Sequence, residues 1–385
     1  MNQFDFIKNG FYKNKKVLVT GHTGFKGTWL CRILLNAGAV VTGYSLQSPT
    51  EPNLFSMAGI ENKMESVTGD IRDFEHLQYV FDKAQPEIVF HLAAQPIVRE
   101  SYKDPRYTYE TNVMGTVNVL ECVRQSTSVK SFLNVTTDKV YLNKEREKGY
   151  EEDEPLDGFD PYSNSKSCSE LATHCYKNSF FADGRVSIST ARAGNVIGGG
   201  DFAKDRIIPD CVRAMQVRKI IEVRNPYSIR PYQHVLEPLF AYLMIAAKQY
   251  EDACYAGYYN VGPEDCDCVT TGQLVNLFCN YWNENTRTKY KIEGNSACKP
   301  SEQECKTEIN MPWKAKWICK EEQDAPHEAI FLKLNCDLLK NTFGWQPRWH
   351  IGEAVKKTCE FSKVWLQGGN ISAEMDREIN EFMEC

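Results

Sequence analysis

Tyr162 and Lys166 stand four residues apart in a stretch, Pro161 to Asn178, whose pattern predicts a helix. At that spacing the two side chains share a helical face. The ammonium can then sit near the phenol oxygen and favour phenolate, lowering a pKa that is ordinarily about 10. A phenolate so placed can take a hydroxyl proton while hydride leaves the same carbon. An isolated Y-x-x-x-K match is more often a solvated lysine beside a half-buried tyrosine, so its neighbours in the chain decide its meaning. Just upstream, Thr137-Asp138-Lys139 closes an apolar segment that reads as a strand. A hydroxyl, a carboxylate and an amine in consecutive positions can supply a substrate hydrogen bond, a general acid and a general base. Taken alone, the triplet is also what a solvated strand exit looks like. Near the start of the chain, Thr20-Gly21-His22-Thr23-Gly24-Phe25-Lys26-Gly27 spaces its glycines as G-x-x-G-x-x-G between a strand and a helix. Such a turn lets the backbone approach a pyrophosphate, which meets amide N–H groups and the positive end of the helix dipole.

The elements that must position these groups follow an alternating order. Val17 to Thr20, Val40 to Tyr44, Ser66 to Asp70, Glu87 to His91, Ser131 to Thr136 and Val186 to Ala191 read as strands. Between them, Gly27 to Ala37, Phe74 to Lys83, Tyr107 to Gln125 and Pro161 to Asn178 read as amphipathic helices. That rhythm predicts an α/β fold with a doubly wound, Rossmann-like parallel sheet of at least six strands. Residues 13–195 are expected to form the dinucleotide-binding domain, with a later segment near 230–260 packing back onto it. Residues 196–370 are expected to form a smaller α/β substrate-binding portion over the sheet's carboxyl edge, and 371–385 a C-terminal tail. The polar stretch 293–316 reads as an insertion or loop. One feature of dinucleotide sites is missing: the second strand ends in Ser45-Leu46-Gln47-Ser48, with neither an acidic residue for the adenosine ribose nor an arginine for a 2′-phosphate.

Composition narrows the partners. The 385 residues carry 45 Lys and Arg against 51 Asp and Glu, a net charge of −6, which offers no field to hold nucleic acid. The longest apolar run, Leu239 to Ala247, is too short to span a bilayer, and the start of the chain lacks a secretory pattern. A cytoplasmic protein is expected. Fifteen cysteines, an odd number scattered singly, fit reduced thiols. Their spacing, Cys266 and Cys268 included, gives no zinc-ligand pattern, so no metal is expected. His91, His234 and His327 lack ligand partners at helical spacing and are read as structural. Trp345 and Trp349 are read as packing residues.

The glycine turn, strand-end triplet and Y-x-x-x-K occur in the chain order of one enzyme superfamily. With Gly69-Asp70-Ile71-Arg72-Asp73, His91-Leu92-Ala93-Ala94-Gln95-Pro96, Asp160-Pro161-Tyr162-Ser163-Asn164-Ser165-Lys166 and Arg192-Ala193-Gly194-Asn195, the sequence resembles the extended short-chain dehydrogenases/reductases. Within them it is most similar to the CDP-glucose 4,6-dehydratases. Arg224 to Pro231 and His327-Glu328-Ala329 extend the resemblance into the substrate half, whereas the stretch 297–320 looks extra.

The resemblance implies an NAD-dependent, redox-neutral dehydration giving CDP-4-keto-6-deoxy-glucose, a deoxysugar precursor of the kind used in lipopolysaccharide O-antigen. Tyr162, supported by Lys166, would deprotonate O4, with Thr137 hydrogen-bonded to that oxygen. Asp138 would protonate the departing C6 hydroxyl. Relatives acting on dTDP-glucose carry Glu where Lys139 stands, and an amine can serve as the C5 base only if neutral; Lys139 otherwise stabilises the enolate by its charge. For the cofactor, the resemblance assigns Gly21, Thr23, Gly24, Phe25 and Gly27 to the pyrophosphate, Asp70 and Ile71 to adenine, and Ala93 and Ala94 to the ribose. Tyr162 and Lys166 also contact it. Gln47 departs from the Asp of relatives. Asn195, Arg206 and Arg230 would hold the sugar nucleotide, arginine suiting a diphosphate by its forked donors. The superfamily implies a homodimer, or a dimer of dimers, paired through the helices bearing residues 107–125 and Tyr162. The alternatives are dehydration of another sugar nucleotide, whether a UDP-N-acetylhexosamine, a dTDP-hexose or a GDP-hexose, a 4-epimerase, which needs no C6 acid and base, and a catalytically silent dinucleotide-binding protein.

Overall fold

The structure is a computed structural model that describes residues 3–284, 314–320 and 331–384. Most of the expected insertion at 293–316, and His327, Glu328 and Ala329, lie outside the described residues.

Seven parallel strands form the central sheet. In chain order they are β1 (Lys16–Thr20), β2 (Val40–Ser45), β3 (Glu65–Thr68), β4 (Ile88–His91), β5 (Ser131–Thr137), β6 (Ser187–Ala193) and β7 (Tyr258–Val261), arranged β7-β6-β5-β4-β1-β2-β3. The order reverses between β1 and β4, which run side by side with Thr20 opposite His91. A crevice opens outside the strand ends at such a switch point. The glycine turn follows β1 and the Thr137 triplet follows β5, so both reach the same edge. β4, β5 and β6 are buried throughout, in keeping with a parallel sheet covered on both faces.

Four helices matter most for the site: α1 (Phe25–Asn36), α2 (Phe74–Ala84), α3 (Gly115–Gln125) and α4 (Pro161–Phe180). The single helix expected over 107–125 is interrupted. Pro105–Tyr109 is followed by a π-helical turn, Glu110–Met114, before α3 begins. That wider turn holds Asn112 inward, where its amide donates to Gln95 O at 3.1 Å and Ser165 Oγ at 2.9 Å. Seven strands agree with the sheet of at least six predicted, the seventh, β7, coming from beyond residue 195 and pairing with β6.

The apolar run at 239–247 lies within α5 (Leu236–Glu251), which is buried nearly all round and packs against β5 and β6. A helix apolar on every face belongs inside a core. Its Gln249 amide donates to Ser131 Oγ and Phe132 O, fixing helix to strand. No helix among the described residues is long and apolar enough to cross a membrane. A second apolar core joins Ile207–Gln216, Thr271–Asn283 and α6 (Ile351–Leu366) over the sheet's carboxyl edge.

Residues 371–385, expected as a tail, instead contain α7 (Ile371–Glu384). Ile371, Met375, Ile379 and Phe382 recur on one face and are buried in the main core. That periodicity is a helical stripe, and it docks against the first helix through Arg32 and Asp376. The described cysteines are all free thiols.

Candidate active site

The glycine turn is shaped by close backbone approach. Gly21 has φ +76°, and a Cβ there would stand 2.8 Å from Ala93 N, so β1 and the end of β4 pack backbone to backbone. A Cβ on Gly27 would lie 2.1 Å from Gly21 O. Gly24 differs: its Cβ would meet only Gly21 O, at 3.4 Å. Gly24 caps α1 in an extended conformation and no side chain bonds the free N–H groups behind it. This is an uncapped helix N-terminus with open space above a glycine, and it fits a pyrophosphate. Phe25 and Lys26 begin the helix.

The remaining positions assigned to a dinucleotide divide. Thr23 Oγ1 bonds Ser45 Oγ at 2.6 Å and donates to Leu46 O at 2.9 Å, so small hydroxyls occupy the end of β2 where an acid was missing. Asp70 is clasped by Arg72, whose Nη2 lies 2.7 Å from Oδ2 and whose backbone N–H also donates to it. Ile71 is buried against Gly115. Ala93 N–H donates to Thr20 Oγ1 at 3.2 Å, and Ala94 faces the main cavity whereas Ala93 does not.

That cavity, about 640 Å³, lies over the carboxyl ends of the strands. Thr137, Lys139, Tyr162 and Lys166 line it from β5 and α4, and Asn195, Arg206 and Arg230 from the chain beyond β6. The volume suits a small-molecule ligand with a few convergent polar groups. Arg206 pairs with Asp201 at 3.1 Å, while Arg230 lies on a short strand, Ile229–Pro231, and donates to Ile229 O.

β5 ends at Thr137 and the next three residues, Asp138 to Val140, form a single 3₁₀ turn. The strand alternation that would send Asp138 and Lys139 to opposite faces is thereby broken. Lys139 reaches the cavity wall; Asp138 sits behind it, 1% exposed. Thr137 Oγ1 donates to Asp138 Oδ1 at 2.9 Å, and Oδ2 has no hydrogen-bond partner. Burial raises the Asp138 pKa, against the opposing charges of Lys139 and Arg230. Burial of this kind shifts a carboxyl toward the protonated form that a proton donor needs. Burial pushes the Tyr162 phenol up to about 12, with the neighbouring Thr137 hydroxyl and Arg206 pulling down and Asp138 adding to the rise. Lys166 donates to Val135 O at 3.1 Å, and burial brings it down to about 8.

Three features escaped the sequence reading. Lys26 lines the cavity from the first turn of α1. Tyr242, inside the apolar α5, is fully buried with an unpartnered hydroxyl near Tyr162. Finally, Glu170 lies one turn beyond Lys166 and accepts from Thr136 at 2.5 Å, Thr190 at 2.7 Å and Arg192 at 3.0 Å. Burial opposes its ionisation, yet Arg192 and these donors hold the carboxylate at about 2. Glu170 and Lys166 share a face by the same i, i+4 rule that joined Lys166 to Tyr162. That spacing was the available signal.

His91 bonds Thr20 and Thr116, and burial lowers it to about 3. His234, similarly lowered, packs between Trp29 and Trp349. Cys266, Asp267 and His350 lie close together, but Asp267 accepts from the Ile351 N–H and bonds His350, capping α6.

The sheet order, the glycine turn after β1 and the Tyr162–Lys166 pair over the switch point define a protein of the extended short-chain dehydrogenase/reductase class. The chain belongs to the GDP-mannose 4,6 dehydratase family, whose model matches residues 18–358. It is 43% identical over 385 residues to a CDP-glucose 4,6-dehydratase of Salmonella typhimurium, covering 98% of this chain and 99% of that one. Among solved structures it is similar to an epimerase of Methanothermobacter thermautotrophicus, with TM-score 0.73 and 21% identity over 95% of this chain and 98% of that one. A dTDP-glucose 4,6-dehydratase of Bacillus anthracis in complex with NAD gives TM-score 0.68 at 20% identity, covering 90% and 96%. These two likenesses concern the fold.

Proposed function

We propose that this protein is an NAD-dependent CDP-glucose 4,6-dehydratase, converting CDP-glucose to CDP-4-keto-6-deoxy-glucose and water. The observation that carries the reading is the Tyr162, Thr137 and Asp138 cluster: a phenol and a buried carboxyl with one free oxygen, both beside the same hydroxyl, which donates to the carboxyl. Identity of 43% along the full length of a relative bearing that name supports it.

NAD⁺, when bound, supplies the hydride acceptor for C4 and the hydride returned to C6. Gly21, Gly24 and Gly27 would hold its pyrophosphate, with Thr23 and Phe25 in the same turn, while Asp70 and Ile71 would flank adenine, and Ala93 and Ala94 the ribose. Tyr162 takes the O4 proton, Lys166 and Thr137 steadying the charge that develops. The new ketone acidifies C5–H, which Lys139 removes or whose enolate it stabilises, and C5 regains a proton from solvent when hydride has reached C6. Asp138 donates its proton to the C6 hydroxyl as that group leaves. In the net reaction the O4 proton ends in the water released. Thr137, bonded to Asp138 and beside Tyr162, stands between the group that gains a proton and the group that loses one. Asn195, Arg206 and Arg230 hold the nucleotide diphosphate.

Residues 13–195 with the returning segment near 230–260 serve the dinucleotide, and 196–370 mainly the sugar nucleotide. The protein works in the cytoplasm as a homodimer or dimer of dimers, pairing through α3 and α4; Met114 before α3 and Leu171 on α4 are half exposed, which suits that surface. Its product feeds deoxysugar synthesis of the O-antigen kind. Incubation with CDP-glucose and catalytic NAD⁺, beside UDP-, dTDP- and GDP-sugars, tests the reading by the alkali-induced absorbance of a 4-keto-6-deoxy sugar. Product from CDP-glucose, lost in Tyr162→Phe, is expected; product only from another nucleotide would move the substrate, and none at all would overturn the activity.

A further inference from the structure

Cys266, Asp267 and His350 offer more donor atoms than the cap of α6 consumes. Asp267 Oδ1 accepts the Ile351 N–H at 2.9 Å, which fixes the carboxylate, while Oδ2 lies 2.8 Å from His350 Nδ1. The Cys266 sulfur completes a group of one oxygen, one nitrogen and one sulfur, all within 4.8 Å of one another. Asp267 is buried, whereas Cys266 and the His350 side chain are exposed, so the donors have a fixed base and an open mouth. The turn is also acidic. Glu264 pairs with Lys340 at 2.7 Å and Asp265 with Lys333 at 3.6 Å, but among the described residues no lysine or arginine pairs with Asp267.

We propose that Cys266, Asp267 and His350 bind a divalent transition metal of the zinc type, with a fourth position open to water. Zinc takes thiolate sulfur at about 2.3 Å and imidazole nitrogen or carboxylate oxygen at about 2.0–2.2 Å, in a tetrahedron. Oxygen and nitrogen then stand about 3.3 Å apart, so Oδ2 and Nδ1 need to open by only about half an ångström. On binding, the thiol loses its proton and the imidazole proton leaves Nδ1 for solvent or for Nε2, so that a thiolate and a carboxylate balance the dication. The Ile351 N–H on Oδ1 is the outer support that a ligating carboxylate needs. No local spacing announces the group, because His350 is 83 residues from Asp267.

The ion would brace the substrate half. Cys266 and Asp267 end the turn Asp265–Asp267, and the strand that follows, Cys268–Thr270, pairs with Ile229–Pro231, placing Val269 opposite Arg230. His350 stands immediately before α6. The metal therefore ties the start of α6 to the strand beside Arg230. None of its three ligands lines the main cavity, so the site is independent of the reaction assigned above.

The test takes the full-length protein, stripped with a chelator and kept reduced without added thiol, through titration with Co²⁺ followed by absorbance and with Zn²⁺ followed by calorimetry. One equivalent is expected, with a sulfur-to-cobalt charge-transfer band and the strong visible bands of a tetrahedral site. Because Asp267 also caps α6, the variants are Cys266→Ser and His350→Gln, both at exposed positions, with Cys268→Ser for comparison. Cys266→Ser should abolish the charge-transfer band, Cys266→Ser and His350→Gln should each weaken zinc at least about tenfold, and Cys268→Ser should change neither. Zinc should raise the melting temperature of the wild type and leave that of Cys266→Ser unmoved. No stoichiometric binding, a wild type without the sulfur band, a band that persists in Cys266→Ser, or zinc affinity unchanged in either ligand variant would each overturn the proposal.

Discussion

Thr137 donates its hydroxyl to Asp138 Oδ1 at 2.9 Å and lies beside the phenol of Tyr162, so one side chain adjoins both the group that begins the reaction and the group that completes the elimination. The two protonation states depend on each other. An ionised Asp138 would hold Tyr162 protonated, whereas the neutral carboxyl that burial favours does not. An acid for C6 and a base for O4 can therefore coexist a few ångströms apart.

Asp138→Asn should keep this hydrogen bond but remove the proton. Turnover is expected to fall about 10²–10⁴-fold, the usual range for loss of a positioned acid. Oxidation at C4 should survive, so reduced cofactor should accumulate in a single turnover, visible by its near-ultraviolet absorbance. A variant that no longer reduces the cofactor would show that Asp138 acts earlier.

Gly24→Ala and Gly27→Ala should separate binding from folding. A Cβ at 24 has room within the protein, so that variant should melt like the wild type yet bind NAD⁺ at least about tenfold more weakly. A Cβ at 27 collides with the Gly21 carbonyl, and the variant should lose about 1–3 kcal/mol of stability. Thermal melts with and without dinucleotide distinguish the two.

The sequence made the sheet, the glycine turn and the Tyr162–Lys166 pair readable because each is written locally, as a two- or 3.6-residue period or a short spacing. β7 and α5 were harder, since a strand supplied from beyond residue 195 pairs with β6 by long-range contact alone. The C-terminal helix had a readable stripe, Ile371, Met375, Ile379 and Phe382, hidden among acidic neighbours. Asp138 and Lys139 turned on the exit geometry of β5, and a 3₁₀ turn there has no signature in the residues Asp138 to Val140. Lys26 stood in plain view within the glycine motif, where attention falls on the glycines.

Removing one member of the buried ion pair should be costly. Arg192 and Glu170 have fully buried side chains. Arg192→Met leaves the carboxylate without its cation, and the expected loss is about 3–5 kcal/mol in urea unfolding. Because Glu170 also holds Thr136, next to the Thr137 triplet, turnover should fall with it.

Glu237 gives stability a dependence on pH. It is 1% exposed, and although Oε1 accepts the N–H groups of Arg348 and Trp349, burial raises its pKa to about 7. The unfolded chain ionises it near the ordinary value of about 4.3. Between those values the folded state holds the extra proton, so this group's contribution falls as pH rises and is flat above about 7. Glu237→Gln keeps the acceptor and should raise stability at neutral pH by on the order of 1–3 kcal/mol, with little gain at about pH 4. Equal gains at both would rule out the titration.

The central claim is that hydrogen leaves C4 and returns to C6 of the same sugar. CDP-glucose deuterated at C4, turned over with catalytic NAD⁺ in ordinary water and examined by proton and deuterium magnetic resonance, tests it directly. The account predicts a 4-keto-6-deoxy product carrying the deuterium on its C6 methyl group and a solvent hydrogen at C5. Deuterium retained on C4 of a hexose that keeps its C6 hydroxyl, or lost to water, would contradict it.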